Sequence, residues 1–417
     1  MRVDLKDANI RYPLLKRSIS HDEISSNALR VLYRLSKAGY EAFLVGGSVR
    51  DMLLGFHPKD FDVATNARPI EIRKLFGNSR LIGKRFRLVH VCFPNEIIEV
   101  STFRAGTKEY RKNSSLVLVD DNTYGTIEED ACRRDFTINA LYYDVTNFSI
   151  VDLTNGMQDL KTGLIRMIGD DPSRRYQEDP VRLLRAVRLA SKLNFKIHPN
   201  TEEPLLRLHN LLHYVPSARL FTELLKMFCK GHAHRSFQLL TYTNYMKALF
   251  PEMVDFLEKS QNPHYRNLIE YSLKSTDERY RKNLTLNPGF LLAIFLWPVV
   301  QELIDRNVRK NKRLFSSLYY GIQRTLNLQT KTLAIPRRLE KVMRSIWLLQ
   351  YHLEQQSFNR ISQISQERFF RAALNFLELR EHTGAPLTAI VCWWRIFRDG
   401  SVEQRERLID KLRGEYK

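Results

Sequence analysis

Glu41-Ala42-Phe43-Leu44-Val45-Gly46-Gly47-Ser48-Val49-Arg50-Asp51, followed by Lys59-Asp60-Phe61-Asp62-Val63-Ala64-Thr65, is the stretch on which the fold turns. An apolar run ends on a glycine pair and passes into helical spacing, so it reads as strand, tight turn and short helix. Two glycines let the backbone approach a ligand, and a helix start offers unpaired N–H groups and a positive dipole end to phosphate oxygens. Neither G-x-G-x-x-G nor G-x-x-x-x-G-K-[ST] is present, which removes the Rossmann and P-loop readings. In the second run, strand alternation would put Asp60 and Asp62 on one face and turn Phe61 and Val63 into the core. Two carboxylates close to a phosphate cradle suit Mg²⁺, which takes a few carboxylates together with substrate phosphates. The pair of signals points to nucleotidyl transfer.

Outward from this stretch, residues 24–168 mix helical spacing (Ala28, Leu29, Leu32, Leu35) with β-rich runs at 41–45, 61–64, 88–93, 97–103, 149–153 and 165–168. That is an α/β domain. From Asp179 the text becomes helical, with start signals at Asp179-Pro180, Asn200-Thr201 and Pro216-Ser217 and a stop at Gly231, and it suggests roughly ten helices. Two residues are candidates for a third acid. Glu99 stands among β-branched neighbours in Ile97-Ile98-Glu99-Val100, and Asp135 follows Arg133-Arg134. Pattern alone does not separate them.

The 417 residues are enough for several domains, and 43% hydrophobic content suffices for real cores. Lys plus Arg number 66 against 46 Asp plus Glu, a formal charge of +20, which calls for a polyanionic partner, nucleic acid first and an anionic membrane second. The apolar run at 289–300 contains Pro298 and falls short of the roughly 20 residues of a spanning helix, so a buried helix and no membrane are expected. Residues 1–20 lack a continuous apolar segment and do not read as a signal peptide. The four cysteines form no zinc spacing and suggest a reducing cytoplasm.

Four further stretches extend the pattern: Arg133-Arg134-Asp135-Phe136-Thr137-Ile138-Asn139, Glu178-Asp179-Pro180-Val181-Arg182, Ala218-Arg219-Leu220-Phe221 and Glu223-Leu224. Together with the glycine turn and Asp60-Phe61-Asp62, they resemble the class II nucleotidyltransferases of the polymerase β superfamily, which comprise CCA-adding enzymes and bacterial poly(A) polymerases. The resemblance implies that Asp60 and Asp62 hold two catalytic Mg²⁺ ions and that Gly46, Gly47, Ser48 and Arg50 receive the triphosphate of ATP. It implies that Asp135 is the third acid or a ribose contact, with Arg134 and Asn139 on sugar and phosphates. Asp179 and Arg182, with Arg219, would read the incoming base. The poly(A) polymerase branch is favoured by Leu81–Val91, by Leu333-Ala334-Ile335-Pro336-Arg337-Arg338-Leu339, by Phe370-Arg371-Ala372-Ala373 and by Trp393-Trp394.

Between Arg306 and Arg344, eleven basic residues stand against the single acid Glu340, which makes Arg309, Lys310, Lys312, Arg313, Arg337 and Arg338 candidates for an RNA backbone. Poly(A) polymerases of this kind often carry a long Arg-rich tail, whereas this sequence stops at Arg413-Gly414-Glu415-Tyr416-Lys417, so RNA grip is expected from the body. His232 and His234 lie two apart, not on one helical face, and are expected to be structural and not zinc ligands. Residues 105–123 read as a mobile loop, and most of the four tryptophans read as core.

The expected organisation is an N-terminal extension (1–24), an α/β polymerase β-like palm or head domain (25–175), a helical neck for base and RNA (176–235), and a helical body and tail for RNA (236–417). The expected activity is template-independent addition of AMP from ATP to RNA 3′ ends. A CCA-adding tRNA nucleotidyltransferase is the alternative, and a non-catalytic RNA-binding protein on the same scaffold the second.

Overall fold

A computed structural model describes residues 19–83, 87–105, 109–112, 115–118, 123–260, 262–357 and 359–415. The chain divides into two compact units, one running through Glu178 and adding Asn194–Pro204, the other holding Asp179–Leu193 and everything from Leu205.

The first unit carries the strands β1 (Ala42–Val45), β2 (Asp62–Thr65), β3 (Ser79–Ile82), β4 (Leu88–Phe93), β5 (Glu96–Thr102), β6 (Glu109–Lys112), β7 (Ser115–Leu118), β8 (Leu141–Asp144), β9 (Ser149–Asp152), β10 (Leu164–Ile165) and β11 (Lys196–Ile197). Seven of them form one sheet in the order β3-β4-β5-β2-β1-β8-β9. It is mixed, because β2 and β5 run parallel while β1 pairs antiparallel with both β2 and β8. The helices of this unit are α1 (Ser26–Lys37), α2 (Gly47–Leu53), α3 (Pro69–Leu75), α4 (Ile127–Arg133), α5 (Gly156–Thr162) and α6 (Pro172–Glu178). Helix α1 buries Ala28, Val31, Leu32 and Leu35, the spacing of one helical face, and packs on β1, β2 and β5. On the other face Val45, Ala64, Phe103 and Tyr142 pack with Ala131 of α4.

Two expectations change here. The ladder of β2 begins at Asp62, so Asp60 and Phe61 lie just before the strand rather than in it. The stretch 105–123 is not simply loop, since Glu109–Lys112 pairs antiparallel with Ser115–Leu118. The first eighteen residues of the expected N-terminal extension, and Lys84, Arg85 and Phe86, lie outside the described residues.

The second unit is built from α7 (Val181–Leu193), the last residues of α8 (Pro199–Arg207), α9 (Ser217–Phe228), α10 (Ala233–Tyr242), α11 (Tyr245–Leu249), α12 (Pro251–Lys259), α13 (His264–Arg281), α14 (Pro288–Val308), α15 (Leu314–Gln329), α16 (Arg337–Gln355), α17 (Ile361–Gln366), α18 (Phe370–His382), α19 (Thr388–Asp399) and α20 (Val402–Glu415). More helices are present than the text suggested. The apolar run at 289–300 belongs to the 21-residue helix α14, long and apolar enough to cross a bilayer, but 67% of its most apolar window is buried inside the protein. It packs against α12, α13, α15 and α16, with Leu292 to Leu296 at most 2% exposed. A core helix of this kind is sealed by large side chains. Trp347 of α16 is fully buried and donates its indole N–H to the Ala293 carbonyl at 3.0 Å, and Trp394 does the same to Leu353 at 2.9 Å. Trp297 is also buried and Trp393 partly so, as core residues should be.

Candidate active site

Strand register builds the site. Val45 pairs with Asp62 across β1 and β2, so the turn that begins at Gly46 stands beside Asp60 and Phe61. Asp62 in turn pairs with Glu99 across β2 and β5. Residues directly opposite one another share a face, so both carboxylates rise from the same side of the sheet. Phe61 and Val63 are buried on either side of the exposed Asp62, as alternation requires. The Asp62 carboxyl is pushed up to about 6 by its dense protein surroundings and then by the Glu99 carboxylate, with Asp60 adding to the rise and Arg134 opposing it. Two further acids therefore act on Asp62 here, although no group of three or more His, Cys, Asp or Glu side chains converges as a ready metal cage among the described residues. One or two carboxylates are what Mg²⁺ ordinarily takes from a protein when substrate phosphates complete its shell. The crowded negative charge fits a cation.

The glycine turn is a backbone device. Gly46 has φ +80° and ψ −130°, a conformation that a side chain would strain, and a Cβ there would come within 3.6 Å of Arg134 Nη1. Ser48 is buried and its hydroxyl donates to the Val45 carbonyl at 3.3 Å, which ties the turn to the strand. Arg50, expected to receive phosphate, is only 4% exposed: Nε and Nη2 donate to Asp51 Oδ1 at 2.9 and 2.7 Å and Nη1 donates to the Asn139 side-chain oxygen. Asn139 passes the link on by donating to Asp135 Oδ1 at 3.1 Å, and the Phe136 N–H donates to the same oxygen at 2.8 Å. The result is a buried brace, Arg50-Asn139-Asp135, under the turn. Of the two candidates for a third acid, Glu99 faces Asp62, while Asp135 is 8% exposed and engaged in this brace.

Arg134 lies between the turn and the acids. Its Nε and Nη2 donate to Asp130 Oδ2 at 3.2 and 2.9 Å, Nε also reaches Tyr142 Oη at 2.9 Å, and the guanidinium stacks over the Tyr142 ring at 5.1 Å. Burial works against this charge, but Tyr142 and Asp130 outweigh it and hold the guanidinium above its ordinary value. Asp130 and Tyr142, neither of them singled out in the sequence, fix the cation. So does Arg175, whose Nη2 donates to the carbonyls of Arg133 and Arg134 at 2.8 and 2.6 Å.

In the second unit, Asp179 sits two residues before α7, and its carboxylate accepts from Arg219 Nη2 of α9 at 3.0 Å. A second tie between the same helices joins Arg188 to the buried Glu223 at 2.8 Å. These contacts bring the Asp179-to-Arg182 and Ala218-to-Leu224 stretches together. Arg188 and Glu223, 35 positions apart on different helices, become legible as a pair only once the helices are known to be neighbours. His232 stands just before α10 with its imidazole pushed down to about 4 by burial, and it is Asp277 that caps the helix, accepting from the Ala233 and His234 N–H groups at 2.6 and 3.0 Å. That is a structural arrangement. Arg309, Lys310, Lys312, Arg313, Arg337 and Arg338 are all exposed, the first four around the α14–α15 turn and the last two opening α16.

Acids clustered beside a glycine turn on a small mixed sheet, with a helical unit following, define a nucleotidyltransferase. Three family models match the chain: the poly A polymerase head domain at residues 42–166, the probable RNA and SrmB-binding site of polymerase A at 194–257, and the polymerase A arginine-rich C-terminus at 310–417. Poly(A) polymerase I of Salmonella typhi is 43% identical over 96% of this chain and 88% of its own length, and that of Haemophilus influenzae 40% identical over 94% and 89%. The chain belongs to the poly(A) polymerase family and is an enzyme of the nucleotidyltransferase class. A CCA-adding enzyme of Lactobacillus helveticus is 39% identical over 57% of this chain and 58% of its own length. Among solved structures, the Bacillus stearothermophilus CCA-adding enzyme in complex with CTP aligns with a TM-score of 0.60 at 26% identity, covering 89% of this chain and 81% of that one. The expected fold class, an α/β head followed by helical regions, agrees with these matches. The segment read as a body without an Arg-rich tail is the one matched as the arginine-rich C-terminus.

Proposed function

We propose that this enzyme adds AMP from ATP to RNA 3′ ends without a template, releasing pyrophosphate. The observation that carries the reading is the acid cluster of Asp60, Asp62 and Glu99 beside the Gly46-Gly47 turn. Asp60 and Asp62, with Glu99 as third acid, would hold two Mg²⁺ ions, whose chemistry when bound is to activate the attacking hydroxyl and to neutralise the departing pyrophosphate. The glycines let the triphosphate lie against the backbone, and Arg134, with Nη1 toward Gly46, places a fixed positive charge there. Arg50, Asn139 and Asp135 position the turn from beneath. Identity over 96% of the chain with a poly(A) polymerase, against 57% with a CCA-adding enzyme, supports adenylate as the product.

One primer assay separates the readings. With ATP alone and a generic RNA primer, a long ladder is expected. Extension that occurs only on tRNA lacking its end, with CTP and ATP both supplied, and that arrests after a few residues would mean CCA addition, and no extension in either reaction would mean a non-catalytic RNA binder.

Asp179 and Arg182 are proposed to read the base edge, with Arg219 holding the Asp179 carboxylate in place. Asp179→Ala is expected to shift the ATP-over-CTP preference by about tenfold, the loss of one or two directed hydrogen bonds. Arg219→Ala should move it in the same direction by less. Unchanged kcat/KM ratios for the two nucleotides in both variants would remove the base-reading role.

A further inference from the structure

Helix α15 buries Leu318, Ile322 and Leu326 along one face, and large aromatic rings stand exposed at its N-terminal end, Phe315 in line with that row, Tyr319 at its edge and Tyr320 on the outer side one turn before Arg324. Phe315 is 41% exposed and Tyr319 and Tyr320 are each 51% exposed. Phe315 packs edge-on to Tyr319 at 4.9 Å and against Tyr351 of α16 at 5.4 Å, so the rings form a supported cluster instead of isolated side chains. Farther along, Gln323 accepts from Arg344 Nη2 at 3.0 Å. These two contacts fix α15 and α16 antiparallel, so the surface where they meet is aromatic at one end, with Phe315 and Tyr319 beside Tyr351, and cationic at the other, with Arg344 and the exposed Lys341 one turn before it. The exposed Lys310, Lys312 and Arg313 lead into the aromatic end.

We propose that this face is a stacking platform for single-stranded RNA, with bases on Phe315, Tyr319 and Tyr320 and backbone phosphates on Arg324, Lys341 and Arg344. The proposal rests on reading the basic stripe as an RNA surface and adds the chemistry that recognises bases. A surface with exposed π-faces and almost no acid calls for an occupant that is flat and anionic at once, which a nucleotide strand is.

The test uses the full chain and two oligomers of equal charge, a twelve-residue oligoadenylate and an abasic strand of the same length, titrated by fluorescence anisotropy over a range of salt. Combined Phe315→Ala, Tyr319→Ala and Tyr320→Ala should weaken oligoadenylate binding at least about fivefold, leave the salt slope unchanged, and leave abasic binding unchanged. Arg324→Gln with Lys341→Gln should weaken both strands and lower the slope by about 1.4, at about 0.7 per phosphate contact. Tyr319→Phe with Tyr320→Phe should bind like the parent, which separates stacking from any loss of fold. If the aromatic variant binds oligoadenylate within twofold of the parent while the charge variant behaves as stated, the platform is overturned and the basic stripe stands. If the charge variant is also silent, the stripe falls with it. Loss of self-association on sedimentation, with RNA affinity intact, would assign the face to protein contact and overturn the proposal.

Discussion

Asp62→Ala is expected to lower AMP incorporation by about 10³-fold or more while RNA affinity stays within about twofold, because several kcal/mol of charge stabilisation depend on the cation this carboxylate would hold. The same residue should be visible without any assay of activity. Its carboxyl is raised from an ordinary 3.8 to about 6. The folded protein therefore prefers the protonated acid, and the stability it contributes in that form is present below about pH 4 and lost as pH rises through 6. In chelator, Asp62→Asn should then melt above the parent at pH 8, with the two curves converging toward pH 4. Mg²⁺ should raise the melting temperature of the parent at pH 8 and do little for the variant. Retained extension by Asp62→Ala, or equal Mg²⁺ stabilisation of parent and variant, would remove the metal assignment.

Local pattern located most of the sheet because its strands are short runs with their own composition. Leu88–Phe93 was read residue for residue, and the runs near β1, β2, β5 and β9 to within one residue at each end. Two strands escaped. Ser79-Arg80-Leu81-Ile82 is a largely exposed edge with no alternation, and Leu141-Tyr142-Tyr143-Asp144 is apolar on both faces because it lies inside the sheet. The carboxylates were legible by residue type, but their meeting was not. Asp62 and Glu99 face each other only through a parallel crossover whose register no local motif encodes. Arg50 shows the same limit. An arginine after a glycine turn reads as a phosphate ligand until its burial and its Asn139 partner, 89 positions away, are seen. The exposed rings of α15 are no more legible, since Phe315 and Tyr319 fall within and beside the row of Leu318, Ile322 and Leu326 on a helical wheel and so read as core by pattern alone.

Glu99 and Asp135 should fail in different ways. Asp135 is buried and accepts from the Phe136 N–H and the Asn139 amide, so Asp135→Ala leaves two buried donors unpaired and loosens the hold on Arg50. At about 1–3 kcal/mol for each unsatisfied group, the melting temperature should fall by roughly 5–10 °C. Activity would be lost along with the geometry of the turn, and added Mg²⁺ would not restore it. The Glu99 side chain is 43% exposed, with His90 Nε2 at 3.5 Å as a neighbour. Glu99→Gln should accordingly melt within about 2 °C of the parent, yet lose about 10²-fold in incorporation and require more Mg²⁺ for half-maximal rate. Because Glu99 is the main charge raising the Asp62 carboxyl, its removal should also narrow the pH 8 stability gap between the Asp62→Asn background and its parent. The decisive counter-result is an Asp135→Asn protein that keeps its melting temperature but needs more Mg²⁺, alongside a Glu99→Gln protein with unaltered Mg²⁺ dependence. That outcome would move the third-acid role from the sheet to the brace beneath the glycine turn.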